Sequence, residues 1–168
     1  MLKIVDELSV FFEDCYREFS VREYSREVGV SPPTASKVLK GFANEGLLSM
    51  REERGFLLFK TNRESSVMRD LSRMYWGGKL SDLNILLRDE LYSDTIVLFG
   101  SLAKLEALKK SDIDVAVFSK SKKRIDLVKF EKKLGRETHL FVFESLEKVN
   151  KELRLNLIDG YMLWGYLR

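Results

Sequence analysis

Residues 95–118 read TIVLFGSLAKLEALKKSDIDVAVF. After Thr95 come Ile96, Val97, Leu98 and Phe99, an apolar run rich in β-branched residues that suits a strand covered on both faces. Gly100 and Ser101 stop that run, and the composition from Ala103 to Lys110 favours a helix. After Ser111 a second strand is expected, with Asp112, Asp114 and Ala116 on one face and Ile113, Val115 and Val117 on the other. Two carboxylates then point the same way from a strand that is otherwise core-like. Like charges repel and burial favours neutral forms, so a cation should offset the cost. A hard divalent ion suits, typically Mg²⁺ shared with substrate phosphates. Gly100 lets a phosphate approach the backbone, and Ser101 offers a hydroxyl and an N–H at a strand-to-helix turn.

Gly100, Ser101, ten residues, then Asp112-Ile113-Asp114 in the form SDID resembles the signature of the DNA polymerase β-type nucleotidyltransferase superfamily, in particular its minimal prokaryotic members. Ala103 and Ser111 match the pattern as well. The resemblance runs from about Ser93 to the C-terminus and departs at Leu105, where many members carry glycine. It implies transfer of a nucleoside monophosphate from an NTP, with ATP expected, to a hydroxyl on protein, nucleic acid or a small molecule. Asp112 and Asp114 would be catalytic and would hold Mg²⁺, while Gly100 and Ser101 would bind the nucleotide phosphates. It also implies an antitoxin-like alternative, in which the domain pairs with a small helical toxin.

Active members of the superfamily carry a third carboxylate on a following strand, expected here in ETHLFVFE, residues 137–144. Aligning Gly135-Arg136 with the glycine that precedes that strand puts His139 at the third position. Glu137 lies two residues earlier on the same face, about 6–7 Å along a strand, and Glu144 is farther off. Three accounts of His139 stand open. It ligates metal or acts as a base, it is a structural histidine, or it marks a domain that binds nucleotide without transferring it.

The N-terminal third has a different organisation. Leu2, Val5, Leu8, Phe11, Phe12 and Phe19 recur mostly at helical spacing. Ser20 caps a second helix that ends at Gly29, and Ser31 caps a third with Pro32 and Pro33 in its first turn. That third helix puts Ala35, Val38, Leu39, Phe42 and Ala43 on one face and Thr34, Ser36, Lys37 and Lys40 on another. Two strand-like runs follow, Leu47 to Met50 and Phe56 to Lys60, joined by Arg51-Glu52-Glu53-Arg54-Gly55. FSVREYSREVGVSPPTASKVLKGFANEGLLSMREERGFLLF resembles the winged helix-turn-helix of prokaryotic transcriptional regulators. That resemblance implies double-stranded DNA as partner, read by Thr34, Ser36, Lys37 and Lys40 with Arg51 and Arg54 in the wing. A winged helix used for dimerisation or protein docking is the alternative.

The expected whole is α+β. A winged helix-turn-helix occupies residues 1–61, a helical connector 62–92, and a nucleotidyltransferase-like α/β domain with a small mixed sheet 93–168. In the connector, Val67, Met68, Leu71, Met74 and Tyr75 keep helical spacing, Gly77-Gly78 should break it, and Leu80 to Leu91 resume it. Such a linker also suits a homodimer contact. Ser121 to Leu134 reads as a basic amphipathic helix. Ser145 is expected to start a last helix with Leu146, Val149, Leu153 and Leu157 as its stripe, and GYMLWG closes the chain.

A net charge of +3 on 168 residues argues for no partner by itself, but its distribution is uneven. Residues 1–62 hold nine Lys/Arg against ten Asp/Glu, whereas Lys120 to Arg136 holds eight Lys/Arg against Asp126 and Glu131. A polyanion would feel the second region most. No apolar run reaches the roughly twenty residues that span a membrane, and MLKIVDELSVFFED lacks signal-peptide character, so a cytoplasmic location is expected. The single cysteine, Cys15, belongs to an amphipathic stretch and reads as a buried thiol, with no disulfide or zinc framework.

Overall fold

Apolar side chains at short, regular spacings close two separate cores. In a computed structural model that describes residues 2–167, one compact unit comprises the chain through Tyr75 together with 105–109, and a second comprises 76–104 and the remainder from Lys110. No helix among the described residues is long and apolar enough to cross a membrane.

The first unit begins with α1 (Lys3–Glu7) and α2 (Ser9–Glu13), which replace the single helix expected over residues 2–19. Asp14 adopts an extended backbone, and its Oδ1 accepts from the N–H groups of Tyr16 and Arg17. That local side-chain turn competes with the helix and ends it. Phe19 consequently falls in a two-residue strand, β1 (Phe19–Ser20). Val5, Leu8, Phe11 and Phe12 still face inward, and Cys15 is fully buried beside them.

Ser20 caps α3 (Val21–Val28) through a reciprocal capping box with Glu23, and Gly29 closes it. Ser31 caps α4 (Pro32–Asn44), which buries Ala35, Leu39 and Phe42. The hairpin of β2 (Leu48–Glu53) and β3 (Phe56–Thr61) is longer than expected. Arg51 to Glu53 pair within it, and only Arg54 and Gly55, both at positive φ, form the turn. The sheet order is β1-β3-β2, antiparallel throughout.

α5 (Ser66–Lys79) does not break at Gly77-Gly78. A Cβ on Gly77 would sit 3.0 Å from Cε1 of Tyr161, so this glycine admits a ring and does not end the helix. The interruption comes at Leu80, before α6 (Ser81–Leu91), whose Leu83, Leu87 and Leu91 are buried.

The rest of the second unit is a mixed four-stranded sheet. It contains β4 (Thr95–Phe99), β5 (Ile113–Phe118), β6 (Thr138–Phe143) and β7 (Tyr161–Trp164), in the order β6-β5-β4-β7. β5 and β6 are parallel and the other pairs antiparallel. One face carries Val97, Phe99, Ala116 and Phe118 beneath Leu153 and Leu157 of α9 (Lys151–Ile158).

Three helices depart from expectation. α7 (Gly100–Ala103) starts at the glycine itself and ends where Leu105 takes φ 60°, so no helix runs from Ala103 to Lys110. The residue found where the resemblance expects glycine therefore adopts a glycine-like conformation. α8 (Val128–Leu134) is half the length expected over 121–134. Ser119 Oγ accepts from the N–H of Ser121, Ser121 Oγ from Lys123, and Asp126 Oδ1 from Val128, so short-range bonds hold the segment out of a helix. At the C-terminal end, Ser145 precedes only a 3-10 turn, and Asn150 caps α9 by accepting from the N–H of Leu153.

Candidate nucleotide and metal site

The site forms where β4 ends and β5 and β6 begin. Register places Phe99, Asp114 and His139 side by side in one row across three strands. Directly paired residues share a face, so Asp114 and His139 project together, and Gly100 follows Phe99 at the end of that row. Gly100 has φ +71°, and a Cβ there would overlap Oδ2 of Asp114 and lie 3.2 Å from its Cγ. Only glycine satisfies both demands, positive φ and direct apposition to a carboxylate.

His139 Nδ1 lies 3.2 Å from Asp114 Oδ1, and its Nε2 lies 3.9 Å from Glu137 Oε1. The structure thus brings together Asp114 and His139, with Glu137 on the far side of the imidazole. Burial pushes the Asp114 carboxyl above the ordinary aspartate range. The hydrogen bond and charge of His139 act against that, and the charge of Asp112 adds to it. Asp112, just before β5, is partly exposed.

The Asp112 segment is tied down by a residue that sequence patterns did not single out. Arg136 is 5% exposed, and its Nη1 donates to the carbonyl of Ser111 at 2.5 Å. Its guanidinium carbon also lies 5.1 Å from the centroid of the Trp76 ring. In the sequence Arg136 only closes the basic run from Lys120. Glu131 similarly turns inward, accepting from the N–H of Thr138 at 2.9 Å.

No group of three or more His, Cys, Asp or Glu side chains that could hold a metal ion occurs among the described residues. The carboxylates that the resemblance names as metal ligands are Asp112 and Asp114, near enough for the charge of Asp112 to raise the Asp114 carboxyl, beside Gly100. That set fits Mg²⁺, which commonly takes one or two carboxylates and completes its shell with water and substrate phosphates.

The residues expected to meet DNA lie in the first unit. Thr34, Lys37 and Lys40 are exposed on α4, Ser36 is half-buried, and the hydroxyl of Thr34 is 2.8 Å from that of Ser31. Arg54 is exposed at the hairpin turn. Arg51 is already engaged, with Nε 2.8 Å from Glu18 Oε1 and Nη1 2.7 Å from Glu53 Oε2. Its hydrogen bond holds Glu18 below the usual carboxylate range.

A family model described as a nucleotidyltransferase domain matches residues 83–159, from α6 through the end of α9. The segment that carries Gly100, Asp112, Asp114 and His139 is thus nucleotidyltransferase-like over β4, β5 and β6, and the match stops short of β7. Among solved structures, the chain is similar to one titled "Crystal structure of the toxin-antitoxin with AMP-PNP". The two are 26% identical over 54% of this chain and 73% of that one, with a TM-score of 0.40. No curated protein matches.

Proposed function

We propose that the second unit binds a nucleoside triphosphate, with ATP the expected one, and transfers its nucleoside monophosphate to a hydroxyl acceptor. The acceptor oxygen bonds to the α-phosphorus and loses its proton as the α–β phosphoanhydride bond breaks and pyrophosphate leaves. The observation that carries this reading is the seating of Gly100 against Asp114, within the segment that matches the nucleotidyltransferase model. Asp112 and Asp114 would hold Mg²⁺, which when bound neutralises phosphate charge as the transfer proceeds. The bare backbone at Gly100 lets phosphate oxygens approach, and Ser101 offers its N–H and hydroxyl to them. Arg136 fixes the carbonyl just before Asp112, and His139 fixes one oxygen of Asp114. Catalysis of this type is largely positioning and charge stabilisation, so these constraints matter. The test is incubation with α-phosphate-labelled ATP and Mg²⁺. Label should pass to an acceptor with the wild type and not with Asp112→Asn, and a mutant as active as the wild type would sink the reading.

The contact of His139 with Asp114 favours a second reading, in which the unit binds nucleotide without transferring it. Aligned on Gly135, His139 takes the position that the resemblance gives to a third carboxylate, and an imidazole brings no negative charge to a metal. Tight nucleotide binding with no transfer to any acceptor would select this reading.

For the first unit we propose a winged helix-turn-helix that docks on double-stranded DNA. Capped α3, a short turn, α4 and a two-stranded hairpin follow in the order that such a domain needs. Thr34, Ser36, Lys37 and Lys40 would face the major groove. Arg54 would meet phosphate, and Arg51 would do so only by exchanging its carboxylate partners. A cytoplasmic transcription regulator is the role this implies, and a second copy of the chain or a helical toxin is a further partner that the resemblances imply.

A further inference from the structure

The alternation of β6 puts Phe141 and Phe143 on the same face as His139. Phe143 packs onto the core, with its ring 6.1 Å from that of Phe118. Phe141 has a different environment. It pairs with Ala116, whose small side chain raises no wall beside it, and it remains 36% exposed. Its ring centroid lies 5.5 Å from that of Phe99, the residue that leads into Gly100, and 6.5 Å from the nearly parallel ring of Phe143. The ring is therefore braced on two sides and open to solvent on a third. β6 is an edge strand of the sheet, paired to β5 alone, so the ring stands at the rim of the sheet on the face of Asp114 and His139.

We propose that Phe141 is the platform on which the base of the bound nucleotide stacks. This rests on the reading of the second unit as a nucleotide-binding domain and adds the base subsite to it. One strand across and two residues along a sheet place the Cα of Phe141 about 8 Å from that of Asp114. A nucleotide with its phosphates beside Gly100, Ser101 and Asp114 reaches about that far with its base, the sugar filling the interval. Stacking on an aromatic face tolerates every base because each has a π-surface, so the subsite selects a nucleotide over a bare polyphosphate and favours large purines over pyrimidines.

The test is calorimetry in Mg²⁺ with two probes, ATP and inorganic tripolyphosphate, on the wild type, Phe141→Ala and Phe141→Tyr. Phe141→Ala should weaken ATP about tenfold and leave tripolyphosphate unchanged. Phe141→Tyr, which keeps the ring, should bind both as the wild type does. Equal weakening of both probes by Phe141→Ala, or no weakening of either, overturns the base subsite while leaving nucleotide binding intact. A wild type that binds neither probe overturns the parent reading, and the subsite with it. Far-UV circular dichroism of each variant identifies any loss that comes from unfolding.

Discussion

A methyl group on Gly100 would collide with the carboxylate that the site is built around, and φ +71° would strain any other residue there. Gly100→Ala should therefore cost about 1–3 kcal/mol of stability and abolish metal-dependent nucleotide binding, read by thermal melting and calorimetry. A variant that melts and binds like the wild type would show that the close approach to Asp114 has no consequence. Asp114 gives a prediction with a sign. Because burial raises its carboxyl above the ordinary range, the folded state holds this proton more tightly than the unfolded chain. Its stabilising contribution is full below the unfolded value of about 4 and is lost as pH rises through the folded value. Asp114→Asn cannot ionise, so it should melt higher than the wild type near neutral pH, with the gap closing as pH falls below about 4. Melts of both proteins across that range decide it, and a variant less stable than the wild type at neutral pH would contradict the burial account.

At the scale of elements, strands and caps were legible and some helix lengths were not. The β-branched run before Gly100, the alternation after Asp112 and the cap residues Ser20 and Ser31 each announce structure that neighbouring residues impose. The adjacency of His139 and Asp114 was also in reach, since one alignment on Gly135 sets the β6 register. Contact between Gly100 and Asp114 was not, because it depends on the antiparallel register of β4 with β5. Helices over 103–110 and 121–134 failed for another reason. A positive φ at Leu105, and serine and aspartate side chains that bond their own backbone, override composition without leaving a periodic trace. α4 carries its own prediction. If it lies in a major groove, Lys37→Ala and Lys40→Ala should each weaken binding to DNA of the chain's own promoter region. Each should also reduce the slope of affinity against salt by about one. Titrations in which neither substitution changes affinity or slope would remove α4 from the interface.

For the whole molecule, the two units pose different questions. The first unit, proposed to dock on DNA, has almost balanced charge, and Arg51 is spent on Glu18 and Glu53. Any DNA binding must come from a few exposed cations, and so it should be modest and steeply salt-dependent. The second unit seats Gly100 against Asp114, with Asp112 nearby and His139 where the resemblance implies a third acid. The proposed site holds a metal-bound nucleotide on Asp112 and Asp114. The direct measurement is calorimetric titration of ATP with and without Mg²⁺ into the wild type and the Asp112→Asn, Asp114→Asn double variant. Binding that requires Mg²⁺ in the wild type and disappears in the double variant is the predicted result. No binding by the wild type, or Mg²⁺-dependent binding that survives loss of both carboxylates, would contradict it.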